Sequence, residues 1–161
     1  VSGVGRVLRE KSPQTKIILS EPENASLIGS KIKQDRNADN TPASSHSSWN
    51  PHLIQGWTPD FIPFVLQETI DNNYFDELIP VSGEQGIVWA KRLARAEGII
   101  TGISGGSTFA IAMEIAKTAP PDSNILCMLA DTGERYLSSP LFEDIPEEMT
   151  EDEQKISVEQ K

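Results

Sequence analysis

The chain has 161 residues, 37% of them hydrophobic, with 14 basic and 24 acidic side chains and a formal charge of −10, which leads us to expect one soluble domain able to bury roughly 70% of its unfolded surface. No apolar run approaches the roughly 20 residues that cross a bilayer, and no charged-then-apolar leader opens the chain, so neither a membrane protein nor a secreted one is expected. One cysteine and two histidines make neither an internal disulfide nor a good metal set, so we expect no metal and a reducing, cytoplasmic setting.

The charge is uneven. Residues 143–161 hold eight acids and two bases, a balance of −6, which leaves −4 for residues 1–142. We therefore expect an α/β domain over 1–142 and an exposed acidic tail over 143–161. Neither offers the basic face that phosphate backbones require, so no nucleic-acid partner is expected. The chain opens on Val1 within a glycine-spaced apolar stretch of Val4, Val7 and Leu8, and a fragment of a longer protein is the expectation.

Val4, Val7 and Leu8 recur at helical spacing and stop at Ser12-Pro13, where proline cannot continue a helix. Residues 16–20 read as a short buried strand. From 23 to 51 the composition turns to Asn, Ser, Asp, Lys and Pro, a long polar excursion that should be either functional or mobile. A helix over 64–70 and a strand over 78–81 follow. Ser82 can cap a helix whose Ile87, Trp89, Ala90, Leu93 and Ala94 form one apolar stripe and which Gly98 ends. Residues 99–101 read as a strand, 102–107 as a glycine-rich turn, 109–119 as a helix closed by Pro120-Pro121, and 125–129 as a buried strand containing Cys127. Alternation of this kind predicts an α/β fold: three layers, a mostly parallel sheet with helices on both faces. The 143–161 tail is helical at most.

Two polar turns could carry chemistry. Gly102-Ile103-Ser104-Gly105-Gly106-Ser107 stands before a helix, where free backbone N–H groups attract an anion or a polar ring atom, glycines admit a ligand and serines donate hydrogen bonds. A tight connection is the commoner use of such a turn. Asp131-Thr132-Gly133-Glu134-Arg135-Tyr136 follows the last strand, and in a parallel sheet would share the carboxyl edge where open α/β folds bind ligands. The plainer alternative is that Asp131 caps a helix and Arg135 pairs with a carboxylate. Gly56-Trp57-Thr58-Pro59-Asp60-Phe61 suits a rigid loop over a cleft, or simply an aromatic packing anchor. Cys127 reads as core, and His46 and His52 as surface residues. Ser104, His52 and Asp131 could be assembled into a triad only on paper, since no Gly-x-Ser-x-Gly elbow is present.

Residues 1–6, 18–22 (Ile-Leu-Ser-Glu-Pro), 52–56 (His-Leu-Ile-Gln-Gly), 98–107 and 131–137 occur in an order and spacing that resembles the carboxy-terminal half of the pyridoxal-phosphate-dependent cysteine synthases (O-acetylserine sulfhydrylases), from Val1 to about Thr150. The resemblance implies the tryptophan-synthase-β-like fold, with pyridoxal 5'-phosphate in a cleft between two α/β domains. It implies cofactor-binding roles for Gly56, Gly102, Ser104 and Asp131. The position of Ser104 would meet the ring nitrogen, with Gly56 in the loop approaching cofactor and substrate and Asp131 in the turn beside that nitrogen. A neutral hydroxyl cannot hold a pyridinium charge as an aspartate would, and the resulting moderate electron sink suits β-elimination and β-replacement. The implied reaction exchanges the acetate of O-acetylserine for sulfide to give L-cysteine, in an enzyme that is a homodimer when full length and that, in some members, binds serine acetyltransferase.

The chain also departs from that pattern. The lysine that binds the cofactor covalently belongs to an asparagine-proline motif in the amino-terminal half, and none of the eight lysines here (11, 16, 31, 33, 91, 117, 155 and 161) stands in such a context. The phosphate loop would fall just before Val1, so the first helix would present its N-terminus to the phosphate. We therefore expect no catalytic residue in this chain and no activity from it alone. Trp57-Thr58-Pro59-Asp60 replaces a glycine-richer stretch and Gly105 a second serine, both on the substrate side, where they bear on the nucleophile. A cystathionine β-synthase or a serine/threonine dehydratase of the same fold is one alternative. A non-catalytic acidic module that binds phosphate or a nucleotide is another.

Overall fold

The structure is a computed structural model that describes residues 1–159. Helix α1 (Ser2–Lys11) opens without a side-chain cap and places Arg9 and Lys11 in its last turn, where the helix dipole favours cations. Strand β1 (Ile18–Pro22) pairs in parallel with β2 (Glu77–Val81), Ile18 opposite Glu77 and Pro22 opposite Val81. Helix α2 (Phe64–Asp71) lies between them in sequence. It meets α1 where the Ser2 hydroxyl reaches Val65 O and Thr69 Oγ1. Asp76 joins both strands to α1: its Oδ2 accepts from Ile17 N at 2.7 Å and from Arg9 at 2.8 Å.

Helix α3 (Gly83–Glu97) has the ends its sequence predicts. Ser82 and Gln85 form a reciprocal capping box and Gly98 closes it at φ 69°, left-handed backbone that suits glycine. Helix α4 (Ile103–Ala116) starts at the head of the segment expected to be a glycine-rich turn. Its Gly106 serves contact with α3. A Cβ on Gly106 would overlap Gly86 O and stand 2.8 Å from both Ala90 N and Ala90 Cβ, while a Cβ on Gly86 would overlap Ser107 Oγ. Interior glycine costs helix stability, and here the close crossing offsets it. Ile54, Val81, Ala90, Ile103, Ile111, Tyr136 and Leu141 form the main core beneath these elements.

An α/β fold with a parallel sheet and helices is as expected, but among the described residues that sheet has two strands. Residues 99–101 contribute only a single antiparallel bridge, Thr101 to Thr132. Residues 125–129 are unpaired, with Leu126 96% exposed. Their composition suits a buried strand, yet a strand exists only through a neighbour, and no described segment lies alongside. Cys127 is consequently half-buried in an unpaired segment rather than core, and its partial burial pushes the thiol pKa up.

The excursion is organised rather than structureless. Ala25 and Leu27 pack with Ile62, Trp49, Leu66 and Ile70. The buried Glu21 carboxylate receives Ile28 N and Gly29 N at 2.9 Å, together with the Ser26 hydroxyl. His46 is buried, not a surface residue: Nε2 meets Ile32 O at 3.1 Å and Nδ1 accepts from Ser48 N at 3.2 Å. Arg36 donates to Ile62 O at 2.6 Å and stacks on Phe64. Residues 143–158 are exposed, though Asp144 pairs with Lys91 at 2.6 Å ahead of helix α5 (Glu151–Glu159).

Candidate cofactor site

Ser104 lies in the first turn of α4 and is 6% exposed. Gly102, the N-cap residue, supplies no side-chain cap, so the N–H groups opening the helix keep their capacity for a ligand. Glycine is required at 102 for a reason the sequence does not show: a Cβ there would overlap the Tyr136 ring at Cε2 and lie 2.8 Å from Cζ. Gly105 is likewise a packing residue, since its Cβ would overlap the Thr101 hydroxyl.

The two polar turns do meet, though not as the ends of parallel strands. The Asp131 carbonyl accepts from Thr101 Oγ1 at 3.0 Å and from Gly102 N at 3.4 Å. The Asp131 carboxylate is fully engaged: Oδ1 accepts from Thr132 N at 2.9 Å and faces Arg135 Nε at 3.7 Å, while Oδ2 accepts from Tyr136 OH at 2.7 Å. The Tyr136 hydroxyl, followed by Thr132 N and the Arg135 charge, holds the Asp131 pKa down. Asp131, together with burial, in turn raises the pKa of Tyr136, opposed in part by Arg135. Tyr136 stands five residues after Asp131 in the same motif, but nothing local marks it as the residue that joins Asp131 to α4.

Gly56 adopts φ 85°, and nothing stands within 4 Å of where its Cβ would be, so a ligand can approach that backbone closely. The next residues are held firmly. Thr58 has φ 37°, an uncommon value for a β-branched residue, and its carbonyl accepts from Trp49 Nε1 at 3.1 Å and His52 Nε2 at 3.0 Å. This uses the Nε2–H tautomer of His52, whose buried Nδ1 has no partner. His52 is thus half-buried and bound to the backbone, and Asp131 is bound to Tyr136, so no Ser-His-Asp triad forms. Ile54 and Trp57 pack on the cluster that contains Ile103 and Tyr136, placing the Gly56 loop and the start of α4 over one core.

Cavities of about 310 Å³ beside Glu23, His52 and Glu84 and of about 150 Å³ between α3 and residues 141–145 are lined by neither Ser104 nor Gly56. No group of three or more His, Cys, Asp or Glu could hold a metal among the described residues.

A serine at an uncapped helix start beside an acidic turn is an arrangement with which an α/β fold can hold an organic ligand. The sequence pattern of the pyridoxal-phosphate dependent enzymes matches residues 1–131, and the chain belongs to that family. It is 37% identical over 147 residues to O-ureido-L-serine synthase of Streptomyces lavendulae, covering 91% of this chain and 39% of that protein. Cysteine synthase B of Campylobacter jejuni is 39% identical over 142 residues, covering 88% of this chain and 40% of that one. The solved O-ureido-L-serine synthase superimposes with TM-score 0.75 at 36% identity over 96% of this chain and 42% of its own. For the Entamoeba histolytica cysteine synthase the values are 0.65, 26%, 99% and 41%. The chain thus spans about two fifths of the length of these relatives.

The family's cofactor is pyridoxal 5'-phosphate. Toward its ring the chain offers a buried neutral hydroxyl at a helix start and, separately, open space over the Gly56 backbone.

Proposed function

We propose that the protein of which this chain forms part is a pyridoxal-phosphate-dependent synthase that forms L-cysteine from O-acetylserine and sulfide. The cofactor supplies an electron sink that loosens the bonds at the substrate Cα and β-carbon. In the exchange the β-carbon–acetate bond breaks, acetate leaves with its electron pair, and hydrosulfide forms the new carbon–sulfur bond. The observation that carries this reading is the neutral Ser104 hydroxyl at the start of α4, with the Asp131 carboxylate already committed to Tyr136. Ser104, Gly102 and the turn at Asp131 would hold the ring end of the cofactor. The backbone at Gly56 would face the substrate, and the uncapped start of α1 would lie toward the phosphate. The full-length enzyme would act as a homodimer.

A second reading keeps the chemistry and changes the nucleophile. The likeness to O-ureido-L-serine synthase favours a bulkier nucleophile of the hydroxyurea type. The full-length enzyme should be given O-acetylserine with sulfide, O-acetylserine with hydroxyurea, and serine with homocysteine, and the products identified by mass spectrometry. Cysteine as the fastest product supports the first reading and O-ureidoserine the second. Product from serine and homocysteine alone would make it a cystathionine-forming enzyme and overturn both.

A further inference from the structure

The polar excursion over residues 23–51 has no task in the proposed reaction, yet several of its residues converge on one target, the stretch that follows Gly56. There, alternate residues have their main chain bound by the excursion. Thr58 O accepts from Trp49 Nε1 at 3.1 Å, Asp60 O accepts from His46 N at 2.6 Å, and Ile62 N donates to Gln34 Oε1 at 3.0 Å. The Ser45 hydroxyl adds a bond to the Asp60 carboxylate. Gln34 and His46 are buried, and Trp49 packs with Ala25, Leu27 and Ile62. These bonds are therefore rooted in a small core of their own and are not loose surface contacts.

The stretch needs holding. Thr58 has φ 37°, backbone in which a β-branched residue is strained and persists only where its surroundings impose it. The surroundings do so from two sides: its carbonyl takes both Trp49 Nε1 and His52 Nε2, while Trp57 before it is seated on the main core. Gly56, at φ 85°, stays open, with nothing within 4 Å of its Cβ position. The result is one accessible backbone site carried on a fixed support. A ligand that binds such a site does not have to order the loop as it binds.

We propose that the excursion is a brace for the loop over residues 56–60, and that Trp49 is its positioning residue, holding the Thr58 carbonyl so that the Gly56 backbone is set in advance for the substrate. The inference rests on the reading that Gly56 faces the substrate, and goes further by giving the excursion a task in that site. Trp49 acts through Thr58 and not on the reacting atoms.

The test is Trp49→Phe in the full-length enzyme, which keeps an aromatic side chain in the cluster and removes the donor. Amide exchange at residues 56–58 would be followed alongside steady-state kinetics for O-acetylserine, with sulfide or hydroxyurea as the nucleophile, whichever reacts faster. Exchange should quicken about fivefold and KM for O-acetylserine should rise about two- to tenfold, the scale of one hydrogen bond, with kcat changed less than about twofold, because binding and not chemistry then orders the loop. Ser45→Ala, at an exposed contact, is a second route should Trp49→Phe fold poorly; it should quicken exchange at residues 60–61 and give the same split with a smaller rise in KM. A fall in kcat with KM unchanged, as a smaller folded fraction would give, shows a merely structural role and overturns the proposal. Exchange and KM both unchanged overturn it and leave the reading of Gly56 standing. Quicker exchange with KM unchanged shows a loop that is braced but does not face the substrate, and overturns both. A higher KM with exchange unchanged shows that Trp49 acts by another route, and overturns the brace alone.

Discussion

Replacing Gly106 with alanine sets two effects against each other, and the structure decides between them. In a helix interior the change should gain up to about 1 kcal/mol of intrinsic propensity. The new methyl, however, would overlap Gly86 O and stand 2.8 Å from Ala90 N and Cβ. Two of these atoms are backbone of a 15-residue helix capped at both ends and cannot swing aside as the tip of a side chain can. Overpacking of this kind costs about 1–3 kcal/mol, and the upper part of that range applies where the obstacle is main chain. The expected net effect is a loss of about 1–2 kcal/mol. Gly3→Ala in α1 is the control: nothing lies within 4 Å of its Cβ position, so only the propensity gain of about 0.5–1 kcal/mol remains. Urea denaturation of the full-length enzyme should move the two variants in opposite directions. A Gly106→Ala protein as stable as the parent would refute the close α3–α4 crossing.

Three further outcomes are expected. Trp49→Phe keeps an aromatic side chain but removes one of the two donors on Thr58 O, and amide exchange at residues 56–58 should quicken about fivefold, on the scale of one hydrogen bond; unchanged exchange would show that His52 alone holds the loop. The Asp76 pKa is held down first by the Ile17 N–H and then by Arg9. Its contribution is therefore complete above the unfolded aspartate range near about 4 and is lost as pH falls through the lowered native value; in acid titrations Asp76→Asn should flatten that limb, and an unaltered slope would place the acid sensitivity elsewhere. The 161-residue chain alone, mixed with pyridoxal 5'-phosphate and dialysed, should retain no cofactor absorption and make no cysteine from O-acetylserine and sulfide, because no lysine in it stands in the cofactor-binding motif; sulfide-dependent turnover would disprove this.

What the sequence shows best is what depends on near neighbours. Ser82, Gln85 and Gly98 mark both ends of α3, and the structure uses all three as caps. The paired strands β1 and β2 are also legible, as short apolar runs stopped by Pro22 and followed by Ser82. Residues 99–101 and 125–129 have the same composition but no partner strand, and pairing is not written in a segment's own residues. Gly105 and Gly106 look like a turn because the cause of their selection, Thr101 and the Gly86–Ala90 stretch of α3, lies outside the motif. His46 looks like a surface residue for the same reason: its burial depends on Ile32 and on a backbone bond to Asp60 at 2.6 Å. Of the site, the sequence shows Ser104, Gly56 and Asp131. It conceals Tyr136, which explains both the glycine at 102 and the direction of the Asp131 side chain.

A carboxylate so near the start of α4 raises the question of why the proposed ring partner is a serine. Aimed straight at a pyridine nitrogen, an aspartate would raise its pKa and hold it protonated, giving a strong electron sink. Asp131 cannot be so aimed. Its main-chain oxygen is tied to Thr101 and Gly102 and its carboxylate to Thr132, Arg135 and Tyr136, so turning it would break several contacts at once. On the proposed reading the negative charge is spent on Tyr136, Thr132 and Arg135, and the ring nitrogen meets only the neutral Ser104 hydroxyl. Asp131 thus fastens the turn to the α4 start, and on the proposed reading a serine left as ring partner gives a sink moderate enough to suit exchange at the β-carbon.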